Sequence, residues 1–393
     1  MRRKILKILV SLVIFVILFV GLQRLVVPKY ADKPVEGSFT AEYYDETTSH
    51  DVIIVGDCEV YENIDPMYLW SRYGITSYIR GNAQQLAWQS YYMLEDTLQY
   101  ETPQVVIYNV QALTHAAPMK EEYNRMTLDG MKWSKIKSDA IEASMCEGEK
   151  FIEYLFPVLR YHSRILELTG EDITYYFKHK KVTHNGYYMR TDVLPVSESD
   201  VADPSWLFDK KDTGSDESDS VIVDPWASIE GADDLLEESP TIANQNMDMG
   251  EDFGEYPMEY LDRMRQLCEQ NNIRFVLMKA PSLAPEWYDS YNEQVVEYAE
   301  KYGLDYLNFY ELIEEIGLDF ETDTYDGGLH MNLSGADKMS EYLGAWLVEH
   351  CHIKNHAADE EICRVYEEKI KFYEQMKLDQ KAEIQKYGKV VSY

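Results

Sequence analysis

Cys58 ends the segment Asp51-Val-Ile-Ile-Val-Gly-Asp-Cys58, and a thiol just past a short β-branched run is a candidate nucleophile. Asp326 and His330, four positions apart near the other end of the chain, pair a carboxylate with an imidazole that could take up and return a proton. Asn109 closes a second apolar run, Pro103 to Val110 (PQVVIYNV). Acyl transfer needs a nucleophile, a base, a group that fixes the tautomer of the base, and donors for the developing oxyanion. In that scheme Cys58 attacks a carbonyl, His330 acts as base and then acid, and Asp326 holds the imidazole; Asp323 or another carboxylate is the alternative holder. A thiol is easier to ionise than a hydroxyl. Against this, Asp57, Glu59 and Glu62 place negative charge around Cys58 and disfavour the thiolate, unless a helix N-terminus or a protonated His330 compensates. The competing reading of Cys58 is a buried structural cysteine at a strand end.

These residues need a scaffold to bring them together. The runs 51–55 and 103–110 read as buried parallel strands. Strand and helix then alternate again: a helix over 260–271, a strand over Ile273 to Lys279, a helix over 292–302, a strand over 304–309, and a helix over 339–348 with Ser334 and Asp337 at cap and third-position spacing. Alternation of this kind argues for an α/β fold, and Cys58, Asn109 and the Asp326/His330 loop all fall past strand C-termini, where open α/β sheets bind ligands. Between Pro66 and about Tyr100 the apolar spacing is helical, interrupted near Arg80-Gly81-Asn82. Residues from about 111 to 255 break the rhythm. They hold two aromatic-rich helical stretches, near 120–145 and 148–178, and a segment from Ser199 to Tyr256 whose basic residues are Lys210 and Lys211 alone. The plain expectation is a surface insertion without chemistry of its own. Arg80, Arg125, Arg160, Arg164 and Arg190 either line a basic, aromatic pocket or form salt bridges within an acidic protein.

A strand ending in Gly-Asp-Cys, a glycine in a following loop, an asparagine after the next strand, and Asp and His before the last helix together resemble the ordered blocks of the SGNH (GDSL-like) hydrolase superfamily. The stretch Tyr325-Asp-Gly-Gly-Leu-His-Met-Asn-Leu-Ser-Gly-Ala-Asp-Lys338 is similar to the terminal block of the subgroup that contains the D-alanyl transfer protein of teichoic acid synthesis and the alginate O-acetylation proteins. The resemblance covers roughly 51–110 and 260–348. It implies a three-layer α/β/α, flavodoxin-like parallel sheet carrying a large helical and acidic insertion. It also implies an oxyanion hole formed by the backbone N–H groups of Cys58 and Gly81 and the Asn109 amide. Two departures stand out: Cys58 occupies the usual serine position, and Asp326 to His330 is one residue longer than the common spacing. Relatives of this type are membrane-tethered, extracytoplasmic, and work beside a multi-pass membrane acyltransferase on an envelope polysaccharide or teichoic-acid-like acceptor.

The rest of the sequence bounds these expectations. With 70 acidic against 37 basic side chains the formal charge is −33, which repels nucleic acid and excludes it as a partner. The stretch from Ile5 to Val27 is apolar apart from Lys7 and Arg24, and its 23 positions span roughly 34 Å as a helix, enough to cross a bilayer. Arg2, Arg3, Lys4 and Lys7 ahead of it favour a cytoplasmic N-terminus with everything after it outside the membrane. A cleaved signal peptide is the alternative. The expected organisation is a stub and anchor over 1–28, a tether over 29–50, an α/β domain over 51–352, and a charged helix over 353–393 with Ile362, Tyr366, Ile370 and Tyr373 on one face. Five cysteines are too few for a disulfide scaffold, although Cys351 and Cys363 could pair. No zinc-ligand spacing occurs, and no cofactor or metal is expected. Two functions compete: an SGNH-type O-acyltransferase or esterase, and a catalytically inactive binding or assembly subunit with the same fold.

Overall fold

The computed structural model describes residues 2–27, 37–118, 120–174, 182–195, 252–283 and 287–391. Five parallel strands form one sheet: β1 (Val52–Gly56), β2 (Ser77–Gly81), β3 (Val105–Asn109), β4 (Arg274–Lys279) and β5 (Asp305–Asn308), in the order β2-β1-β3-β4-β5. That is the doubly wound flavodoxin-like order, with the chain reversing direction across β1 and β3. Two helices precede the sheet, α1 (Arg2–Val26) and α2 (Gly37–Glu42), and up to residue 174 the strands are interleaved with or followed by α3 (Cys58–Tyr61), α4 (Pro66–Tyr73), α5 (Ala87–Thr97), α6 (Glu121–Asp129), α7 (Lys135–Ser144), α8 (Phe151–Leu155), α9 (Val158–Tyr161) and α10 (Gly170–Thr174). After residue 252 come α11 (Glu255–Gln270), α12 (Asp289–Tyr302), α13 (Ile313–Ile316), α14 (Leu333–Trp346) and α15 (Glu360–Tyr387).

Side chains alternate across the strands and so divide the core in two. Ile53, Val55, Val106, Tyr108, Phe275 and Leu277 face α5, α7, α11 and α12 through Trp88, Ile141, Met264 and Val295. Val52, Ile54, Val105, Ile107, Val276 and Met278 face α4, α14 and α15 through Leu69, Met339, Leu343, Tyr366 and Tyr373. Coverage on both faces explains why β1 and β3 are continuous apolar runs rather than alternating ones. The three-layer α/β/α arrangement with a parallel sheet is therefore present, together with one N-terminal helix long and apolar enough to cross a membrane.

Several local expectations change. The interruption near Arg80-Gly81 is strand β2, at the sheet edge; Tyr78 and Ile79 point to opposite cores, but Ser77, Arg80 and Gly81 hide the apolar pattern. Residues 37–50 do not behave as a tether. Phe39 and Tyr43 are buried, and Glu46, His50 and Glu101 form a buried cluster that Lys369 of α15 joins at 2.8 Å. α15 packs on the domain, with Tyr366 stacked on Trp70 at 4.1 Å. The cap of α14 is Asn332, which accepts from Ser334 N and Gly335 N, two residues ahead of the expected Ser334. Cys351 and Cys363 are free thiols rather than a disulfide. All five arginines weighed for a basic pocket have carboxylate partners: Asp96, Glu121, Glu121, Asp172 and Asp192 for Arg80, Arg125, Arg160, Arg164 and Arg190. The acidic stretch over 199–251 lies outside the described residues.

One part of the expected surface insertion is threaded through the domain. Residues 182–195 run along β2, where Ile79 N donates to Asn185 O at 3.0 Å, and then cross above the sheet as Tyr188 N donates to Tyr61 O and Leu194 N to Thr324 O. Tyr187 and Met189 are buried in the core of that face.

Candidate active site

The site lies where β1 ends. Gly56 leads into Asp57, whose Oδ1 accepts from Glu59 N at 3.1 Å and so starts α3 with Cys58 as its first residue. Beneath this turn is a buried polar shelf. Asn109, at the end of β3, donates one amide hydrogen to Asp57 Oδ1 (3.1 Å) and the other to Glu59 Oε2 (2.9 Å), while its oxygen accepts from Ala280 N. Lys279, from β4, holds both oxygens of Glu59 at 2.8 and 3.0 Å. Burial pushes the Asp57 carboxyl up to about 7, reinforced by the charge of Glu59 and opposed by Lys279.

His330 arrives from the opposite side on the loop between β5 and α14. Gly327 and Gly328, both at positive φ, fold Asp326-Gly-Gly-Leu-His330 back on itself. The turn brings His330 N to Asp326 Oδ1 (2.9 Å) and His330 Nδ1 to Asp326 Oδ2 (2.6 Å). The four-residue spacing thus closes through a glycine pair. Asp323, the alternative holder, turns away: its Oδ2 accepts from Lys338 Nζ at 2.5 Å and from Asp319 N. Thr324 Oγ1 donates to His330 O, and Met331 N donates to Asn63 Oδ1, tying the loop to the segment after α3.

Cys58 and His330, 272 positions apart, are brought here close enough for the imidazole and the thiol to act on each other's proton affinity. With Nδ1 donating to Asp326, Nε2 is the nitrogen left for sulfur. Cys58 is partly exposed, and the side chains of His330 and Asp326 are 15% and 18% exposed, so a ligand has access to both. Burial pushes the Cys58 thiol up to about 12, further raised by Asp57 and Glu62 and lowered by His330. Burial would lower His330, but Glu62, Cys58 and Asp326 together hold it well above the ordinary histidine range. Both shifts favour the thiol and the imidazolium over the thiolate and the neutral ring.

Gly81 and Asn109 sit close to the thiol turn, though in different circumstances. A side chain on Gly81 would strike Val60 at 2.6 Å and Asp57 O at 3.1 Å, so its backbone is pressed against the turn that carries Cys58. Both amide hydrogens of Asn109 are committed to carboxylates. In this arrangement its amide is a clasp between β3 and the turn rather than a free donor.

Sequence reasoning passed over Tyr188, weighed Arg190 only as one of five arginines, and gave Glu62 only a repulsive part. Glu62 Oε2 lies 3.4 Å from His330 Nδ1 and accepts the Tyr325 hydroxyl. The Tyr325 ring lies nearly parallel to His330 at 6.4 Å, and the Arg190 guanidinium sits 4.5 Å from the Tyr325 ring centre. Arg190 in turn pairs with Asp192 and touches Tyr188. Tyr325 was visible in the terminal block and Arg190 among the arginines weighed for an aromatic-lined pocket; Tyr188 carried no signal, because the threading of 182–195 is a tertiary fact.

Glu62, Asp326 and His330 are also the one group among the described residues with ligand atoms close enough for a metal. Their geometry suits a proton better. The 2.6 Å contact from Nδ1 to Asp326 is a charge-assisted hydrogen bond, whereas two ligands on a common zinc at ~2.0 Å bonds would stand about 3.3 Å apart.

No protein-family profile matches the chain, and no curated protein matches it. Among solved structures, one from Bacteroides fragilis, provisionally described as an acylhydrolase, is similar with a TM-score of 0.35 and 11% identity, covering 83% of this chain and 100% of that one. So distant a likeness leaves the functional reading to the side chains themselves.

Proposed function

We propose that the protein is an extracytoplasmic, membrane-anchored acyl-transfer enzyme of SGNH type, an O-acyltransferase or esterase acting on a cell-envelope polymer through Cys58, His330 and Asp326. The observation that carries this reading is the row of Cys58 thiol, His330 imidazole and Asp326 carboxylate at the C-terminal edge of a parallel sheet. Once His330 has lost its proton, Nε2 accepts the thiol proton as sulfur bonds to the acyl carbon. The backbone N–H groups of Cys58 and Gly81 are the proposed donors to the oxyanion. The leaving alkoxide takes the proton from His330 as its bond to the acyl carbon breaks, giving a thioester on Cys58. A hydroxyl of the acceptor, or water, then attacks with His330 again as base, which restores the thiol. A multi-pass membrane acyltransferase supplying the acyl unit and an envelope polysaccharide or teichoic-acid-like acceptor are the proposed partners.

A specific observation favours a second reading, a non-catalytic binding or assembly subunit. The thiol is pushed up to about 12 and the Asn109 amide is already engaged. Mapping iodoacetamide adducts by peptide mass separates the two readings, with acyl-enzyme formation from a chromogenic acetyl ester read in parallel. The enzyme reading expects alkylation of Cys58 that depends on His330, and acyl-enzyme abolished by Cys58→Ala. Alkylation indifferent to His330→Ala, with no acyl-enzyme, supports the subunit reading.

A further inference from the structure

The last turn of α1 is held by the segment 151–174 rather than standing free. Gln23 Oε1 accepts from Val158 N at 2.7 Å, and Val26 O accepts from Arg164 Nη1 at 2.7 Å. Phe156 packs on Phe19, ring centres 5.8 Å apart. Phe19 lies seven residues before Val26, about 10 Å deeper along the helix axis.

The same segment turns a row of large apolar side chains outward: Ile152, Leu155, Leu159, Ile165, Leu166 (94% exposed) and Ile173. Exposed Trp133 stands beside it, its ring 6.2 Å from Phe151. Its arginines are not available for head groups, since Arg160 pairs with Glu121 and Arg164 with Asp172.

We propose that residues 151–174 form an interfacial foot, lying in the outer boundary layer of the bilayer that α1 crosses, with the lipid acyl chains as the partner of its apolar side chains. The argument is continuity. α1 has 25 residues, about 37 Å, against a hydrocarbon core of about 30 Å, so its last turns emerge at the boundary. Whatever packs on Phe19 and Gln23 must share their depth. A segment at that depth meets lipid, and six apolar side chains with a tryptophan at the rim suit it. The attachment is apolar, because a chain of formal charge −33 gains nothing from anionic head groups. With two points of contact, the anchor and the foot, the domain keeps one face toward the membrane.

The test uses the full chain reconstituted in phosphatidylcholine vesicles that contain a minor fraction of phosphatidylcholine with a diazirine on its acyl chain. After photolysis, adducts are mapped by peptide mass. Adducts are expected on α1 and on 152–173, unchanged by added salt. In Leu159→Glu/Leu166→Glu, both exposed positions, the adducts on 152–173 are lost and those on α1 kept. Adducts confined to α1, adducts on neither segment, or adducts on 152–173 that persist in the double variant overturn the proposal. So does cross-linking between copies through 152–173 without lipid adducts there.

Discussion

One nitrogen of His330 faces two carboxylates: Nδ1 lies 2.6 Å from Asp326 Oδ2 and 3.4 Å from Glu62 Oε2. Asp326 alone would orient the ring. The second carboxylate, from the start of the chain, adds to Asp326 in making the imidazolium harder to discharge.

Glu62→Gln removes a negative charge near both the imidazole and the thiol, and both groups should then lose protons at lower pH. The expected result is that the pH profile of Cys58 alkylation moves toward acid by at least about one unit, a typical shift for a charge at this range. Asp326→Asn should instead cost orientation as well as charge and depress alkylation across the range. Coincident profiles for Glu62→Gln and wild type would remove Glu62 from the electrostatics of the site.

Asn109 is where a structural and a catalytic role give different numbers. As the clasp between Asp57, Glu59 and Ala280 N, its replacement by alanine leaves buried acceptors short of a donor and should cost about 1–3 kcal/mol in denaturant unfolding. Turnover of an acetyl ester, per folded molecule, should then change little. A fall of about 10²–10³ in kcat at unchanged stability would assign the amide to the oxyanion.

What the sequence made legible tracks the range of the interactions. β1 and β3 were readable because strands buried on both faces are short runs of β-branched residues, and the Asp326/His330 loop because its glycines and acid-base pair are contiguous. β2 was not, since a sheet-edge strand that carries Ser77 and Arg80 and ends at Gly81 has no continuous apolar run. The described part of the expected tether, 37–50, looked polar because Glu42, Glu46 and His50 take partners more than 50 positions away, in His184, Lys369 and Glu101. The same holds for the site. Cys58, His330 and Asp326 carried their chemistry in their types, whereas Tyr188 and Arg190 gained theirs only from where 182–195 threads.

That threading depends on Gly186. It adopts φ +72, and a Cβ there would lie 2.0 Å from Ile79 O. Gly186→Ala should therefore push 182–195 off the edge of β2, losing the bond from Ile79 N to Asn185 O, at a cost of more than about 2 kcal/mol. If the segment also steadies Tyr325 through Arg190, alkylation of Cys58 should become faster and less dependent on His330. Thermal unfolding and the alkylation rate are the two readouts; an unchanged melting temperature would mean that the backbone of β2 tolerates the shift.

The buried cluster that replaces the tether should make the fold sensitive to acid. Burial pushes the Glu46 carboxyl up, but hydrogen bonds and charge from His50 and Lys369 outweigh it and bring it down to about 2. A group depressed on folding contributes stability that is complete above its ordinary value near 4.5 and is lost as pH falls through about 2, here about 3 kcal/mol. Lys369 is itself lowered by burial, which offsets part of that gain. His50 works on the other limb: burial would lower its pKa, but Glu101 and Glu46 raise it, so its contribution fades as pH rises through the folded value. Lys369→Met takes away one of the two groups that depress Glu46, so its carboxyl should rise toward the ordinary range. Unfolding midpoints followed from neutral pH down to about 2.5 should then begin to fall at a higher pH in the variant than in wild type. Parallel acid limbs would place the depression of Glu46 on His50 alone and leave α15 out of the cluster's energetics.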